Sequence, residues 1–190
     1  MNQVYFEDKS FEKVDFKDNT FEKGEYENCS FENCDFSDID LSGFKFSDCT
    51  FLNCNLSLAK LSQTAFRDIK FKDCKMLGLS FDNCNQIGLS FNFDNCILNH
   101  STFFKLKIRK TIFKNTKLHE TDFSECDLTD SEFYNSDLLG ATFDNTIIEK
   151  VDFRTSFNYS INPETNRIKK SKFSLSGISG LLDKYDIIIE

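Results

Sequence analysis

The sequence predicts an all-β solenoid, a coil of short strands and corners closed by a short C-terminal α-helix. Three observations carry the prediction. A large apolar residue recurs every five positions, and a small residue stands two places before most of them. The aromatic content is 23 Phe and 5 Tyr with no Trp. A period of five matches neither an α-helix at about 3.6 residues per turn nor the alternation of a strand. It requires a chain that turns a corner once per repeat, and such internal repetition marks a solenoid.

The large residues run Phe6, Phe11, Phe16, Phe21, Tyr26, Phe31, Phe36, Leu41 and onward to Phe81. The series resumes two residues out of phase at Phe93 and continues to Phe153. The small residues include Cys29, Cys34, Cys49, Cys54, Ala59, Thr64, Cys74 and Cys84 before the break, and Cys96, Ser101, Thr111, Thr121 and Cys126 after it. Alternating large and small inward side chains fill a narrow interior without voids. The other positions of each repeat are mostly Asp, Glu, Lys, Asn and Ser, as a solvated surface requires.

Cys34-Asp35-Phe36-Ser37-Asp38 and Cys126-Asp127-Leu128-Thr129-Asp130 fit a small–Asp/Asn–Leu/Phe–X–X pattern. Over roughly residues 4–153 the chain resembles the pentapeptide repeat family. That resemblance implies a right-handed quadrilateral β-helix, with four repeats in each coil. Sorting the central residues by 20 supports such a coil. One column reads Phe11, Phe31, Phe51, Phe71, Phe93, Phe113, Phe133, Phe153 and Phe173 once two residues are allowed at the break. The break lies within 82–92. The stretch Asn85–Asn92 is read as a bulge or short loop, with Gly88 supplying an unusual backbone angle. It serves either as a recognition loop or as a tolerated irregularity.

The solenoid is expected over residues 1–173 and a separate C-terminal element over 174–190. Leu175, Ile178, Leu181, Leu182 and Tyr185 lie at helical spacing behind Ser174 or Ser176 as N-cap. Asp186–Glu190 reads as a terminal strand. A solenoid end must be covered, and this segment either caps it or buries its apolar face against a second copy. The run through Ile187 and Ile189 favours a homodimer, with Leu175, Ile178, Leu181, Leu182, Tyr185, Ile187 and Ile189 at the interface.

Little in the sequence suggests chemistry. The eight cysteines occupy the small inward position, which makes a ladder and not a zinc tetrahedron. His100 and His119 point outward by the repeat phase. No phosphate-binding loop, GxSxG or HExxH motif occurs. We expect no enzyme, no cofactor and no metal. No apolar run is long enough for a membrane span. The first residues lack the pattern of a secretory signal, so the expected compartment is the cytoplasm.

The net charge is −8, which argues against direct nucleic-acid binding. Charge is unevenly spread. Residues 61–120 carry 5 acidic and 10 basic side chains, whereas 121–153 carry 9 acidic and 1 basic. The acidic block, represented by Asp122, Asp127, Glu132, Asp137 and Asp152, is the expected partner-binding surface. The architecture and the run Ile161–Ile168 look similar to the quinolone-resistance (Qnr-type) and microcin-immunity branch. That branch implies a DNA-mimicking dimeric rod that binds a type II topoisomerase, DNA gyrase or topoisomerase IV, and protects it from a drug or toxin. The chain lacks the long projecting loop of many Qnr-type proteins. The alternative is a generic interaction module with another partner.

Overall fold

The corners come first, because they set the period. The computed structural model describes residues 4–19 and 21–188. In it, φ is positive two positions after the central residue in repeat after repeat: Asp38, Gly43, Asp48, Asn53 and later Asn115, Glu120, Glu125 and Asp130. This left-handed region costs an ordinary L-residue about 1–2 kcal/mol, and Asn, Asp and Gly accept it best. The outward Asp and Asn residues therefore shape the chain as well as solvate it.

Among the described residues eleven short strands run between the corners. They are β1 (Val4–Glu7), β2 (Ser10–Glu12), β3 (Gly24–Glu27), β4 (Ser30–Glu32), β5 (Lys45–Ser47), β6 (Thr50–Leu52), β7 (Ala65–Arg67), β8 (Ile69–Lys72), β9 (Phe91–Asp94), β10 (Ile112–Lys114) and β11 (Glu132–Tyr134). All pair in parallel, in one sheet ordered β1-β3-β5-β7 and another ordered β2-β4-β6-β8-β9-β10-β11. Isolated parallel bridges such as Asp35↔Asn55 and Thr102↔Asp122 join the coils on the remaining sides. The result is an all-β solenoid. Among the described residues no helix is long and apolar enough to cross a membrane.

Register is 20 residues from Phe11 to Phe31, Phe51 and Phe71, becomes 22 from Phe71 to Phe93, and returns to 20 at Phe113 and Phe133. Strand pairing thereby carries each ring to stacking distance. From Phe11 to Phe173 the consecutive centroids are 4.7–5.4 Å apart. Neighbouring columns meet edge to face, as Phe113 meets Phe123 at 5.8 Å and 83°. Both arrangements are favoured by the ring quadrupole.

At the break Arg67 Nε still donates to the Ile87 carbonyl, 20 residues on, while Ile69 pairs with Phe91, 22 residues on. The extra residues thus enter between 87 and 91, at the left-handed Gly88. The sequence reading placed Phe91 in the inserted stretch. The structure corrects this: Phe91 is buried, 5.3 Å from Phe81 and 5.1 Å from Phe93. It fills interior space while Gln86 turns to solvent.

The C-terminal α-helix does not form. Residues 178–181 and 183–185 are two 3₁₀ turns. Gly177 and Gly180 lower helix propensity, and both are needed for close packing. A Cβ on Gly180 would lie 2.1 Å from the Tyr159 carbonyl oxygen, and one on Gly177 would lie 2.2 Å from the Tyr159 hydroxyl. Packing on Tyr159 therefore overrides the helical spacing. Asp186–Ile188 form no strand, and Ile189 and Glu190 lie outside the described residues.

Candidate interaction surfaces

Among the described residues the interior is filled, and its small inward residues are themselves bonded. Thr64 donates to the Leu41 carbonyl at 2.7 Å, Ser101 to Met76 at 3.0 Å, Ser136 to Phe113 at 2.9 Å and Thr146 to Phe123 at 2.9 Å. Cys54 and Cys74 make the equivalent Sγ–H bonds to Phe31 and Phe51 at 3.3 and 3.4 Å. In each case the acceptor is the central residue one coil below. Sequence reasoning recognised the size of these residues but not the donor. The recurring Cys, Ser and Thr, with so few Ala, was the available signal. Among the described residues the buried Tyr159 hydroxyl and Asp82 Oδ1 meet no hydrogen-bond partner.

The acidic residues before each central position serve the backbone first. Asp122 accepts from the Ser124 N–H at 2.8 Å, Asp127 from Thr129 at 3.1 Å, Asp137 from Leu139 at 3.3 Å and Asp152 from Arg154 at 3.1 Å. These are Asx turns, which tighten the bend after the strand. Ion pairs follow. Arg109 meets Asp127 at 2.6 Å, His119 Nε2 meets Asp137 at 2.7 Å, and Arg154 grips Asp152 at 2.7 Å.

Asp127 is only 4% exposed. Burial works against its ionisation, but hydrogen bonds from Arg109 and Thr129 outweigh that and hold its carboxyl below the usual range. The same balance lowers Asp137, through His119 and Asn158. Arg154 lowers Asp152 against a smaller burial effect.

The five acids do not share one strip. Asp122 stands in the ladder Thr102↔Asp122↔Thr142, Asp127 between Lys107 and Ile147, and Asp137 between Lys117 and Phe157. Only Glu132 and Asp152 share a ladder. The basic and acidic blocks of the sequence are stacked coils, so they pair with each other. Lys105 meets Glu125 at 3.4 Å, as Arg109 meets Asp127. Among the described residues Asp122 and Glu132 alone of the five make no ion pair.

At the C-terminal end Leu175 is 93% exposed, and Ile178, Tyr185, Ile187 and Ile188 are also exposed. Leu181 packs against the core and Leu182 is half-buried. A cleft of about 510 Å³ opens beside this segment, lined by Leu139, Phe157, Tyr159 and Ser174 among others. Tyr185 donates to Glu164 at 2.8 Å and Lys184 pairs with the same carboxylate, which ties the segment to the 161–168 stretch.

The profile of the pentapeptide repeat region matches residues 24–92 and 79–153. The chain belongs to the pentapeptide repeat family. No curated protein sequence matches this pentapeptide repeat chain. Among solved structures it is similar to a trypsin-treated QnrB1, described as a plasmid-mediated fluoroquinolone resistance protein. The TM-score is 0.64 at 18% identity, covering 98% of this chain and 100% of that one. A second trypsin-treated QnrB1 gives 0.50 at 21% identity, covering 99% and 98%. At these identities the likeness is one of fold.

Proposed function

We propose that the chain is a non-enzymatic interaction scaffold, a right-handed four-sided rod that dimerises through its C-terminal segment. In this reading it binds a type II topoisomerase, DNA gyrase or topoisomerase IV, in the cytoplasm and shields it from a quinolone or a topoisomerase toxin. The observation that carries the scaffold reading is the filled interior. Stacked rings and bonded small residues leave recognition to the outer faces. The end-to-end likeness to QnrB1, a fluoroquinolone resistance protein, supports the quinolone part of this reading. The exposed Leu175, Ile178, Tyr185 and Ile187 support the dimer, with Ile189 as a further expected contact.

A gyrase supercoiling assay with ciprofloxacin tests the partner. Restored or inhibited supercoiling, with binding to the enzyme, is the expected result. No binding and no effect on supercoiling would sink the topoisomerase reading. Sedimentation of Ile178→Arg tests the dimer, which should fall to a monomer.

A second reading, an interaction module with a different partner, is favoured by the cross-coil pairing of the acidic block. That pairing leaves less free negative charge than the sequence suggests. Asp122→Lys with Glu132→Lys decides between the two. Among the described residues these acids form no ion pair, so their reversal should abolish topoisomerase binding if the surface mimics DNA and leave it unchanged otherwise.

A further inference from the structure

We propose that the middle of the rod carries a docking groove for a short acidic polypeptide segment. This site does not depend on the topoisomerase reading. The groove, of about 350 Å³, lies at the corner between the Phe11 and Phe16 columns. Its floor is a ladder of left-handed corner residues, Asn53, Asp73, Asn95 and Asn115. Asn95 Nδ2 donates to Asp73 at 2.7 Å, and Asn135 Nδ2 donates to Asn115 at 2.9 Å. Lys75 and Lys117 form one wall, bracketing Ile97 in the ladder Lys75↔Ile97↔Lys117.

The charge of this wall is directed outward. Other cations are taken up by carboxylates, Lys114 beside the groove by Asp94, and Lys105 and Arg109 on other sides of the coil by Glu125 and Asp127. Lys75 and Lys117, with Lys70 and Lys72 of β8 across the corner, are exposed and make no ion pair among the described residues. A carboxylate arriving from outside is the partner they lack.

Length and surroundings select the kind of partner. Three coil steps at about 4.8 Å give a site of roughly 14 Å. An extended peptide rises about 3.3 Å per residue and presents alternate side chains to one side, so four or five residues span it. The floor amides are already engaged with Asn33, Asp73 and Asp94, so the lysine wall and not the floor holds the peptide. A nucleic acid carries charge far beyond that length. It would run into coils with 13 acidic and 6 basic side chains over residues 1–60, and 9 and 1 over residues 121–153.

The test is fluorescence anisotropy with the full chain and a short labelled peptide of alternating glutamate and serine. Saturable binding that weakens with salt is expected, and the glutamine counterpart should not bind. Lys75→Glu with Lys117→Glu should weaken binding about tenfold or more. Lys107→Glu with Lys110→Glu, on the Phe6 side of the coil, should change it less than about twofold. Circular dichroism establishes that both variants are folded. The proposal is overturned by absence of saturable binding or by equal loss in both variants. Tighter binding of a single-stranded oligonucleotide of equal charge also overturns it, by assigning the groove to nucleic acid.

Discussion

Thr146 illustrates what one residue contributes to the repeat. Its hydroxyl donates to the Phe123 carbonyl at 2.9 Å from a fully buried position. Thr146→Val keeps the shape and removes the donor. The expected cost is about 1 kcal/mol, read as a lower thermal midpoint. An unchanged midpoint would show that the hydroxyl contributes nothing. Cysteine fills the same position with a poorer donor. Burial pushes the Cys49 thiol up to about 12 and also raises Cys84 and Cys126. Ellman's reagent at mildly alkaline pH is therefore expected to leave the native thiols untouched, and to titrate all eight in denaturant. Rapid labelling of the folded chain would contradict their burial. The small size of this position was legible in the sequence. The hydrogen bond was not, because its acceptor lies 23 residues earlier and is brought close only by coiling.

At the scale of elements, the repeat and the terminal segment differ in how far local pattern decides them. The strands were legible because each coil places the same residue types over one another, so all the local preferences agree. The terminal segment carries a helical apolar spacing that its glycines contradict. Two contacts with Tyr159, close enough to exclude a Cβ, settle the conflict in favour of 3₁₀ turns. Gly180→Ala should force the segment off Tyr159. Limited trypsin digestion should then cut faster at Lys172 and Lys184 while the repeat core persists. Equal cleavage rates would mean that the packing is not required. Phe91 is a similar case. Its place in an irregular stretch suggested a loop, but the two-residue register shift turns it inward.

Across the whole molecule, coiling converts charge separation along the sequence into charge pairing between coils. Asp127, Asp137 and Asp152 are all held below the usual carboxylate range. For a depressed carboxyl the linked stability is fully present above the unfolded value, about 3.9. It is lost as pH falls through the folded value. The urea midpoint should therefore be insensitive to these groups near neutrality and fall below about pH 4. Asp127→Asn should lower the midpoint at neutral pH, where Arg109 loses its partner, and make the acid decline shallower. A parallel decline in wild type and variant would remove Asp127 from the account.

The sequence by itself determined the solenoid, its five-residue period, the ring columns and the presence of one register break. Each is a repeating pattern of side-chain size, and packing reads size directly. Tertiary structure alone decided which neighbours the outward groups meet. It distributed the five predicted acids over four ladders and paired the basic block with the acidic one. It also assembled a lysine-walled groove from residues as far apart as Asn53 and Lys117. The reason is geometric. A coil brings residues about 20 positions apart into contact, and short-range patterns carry no information about what waits one turn away.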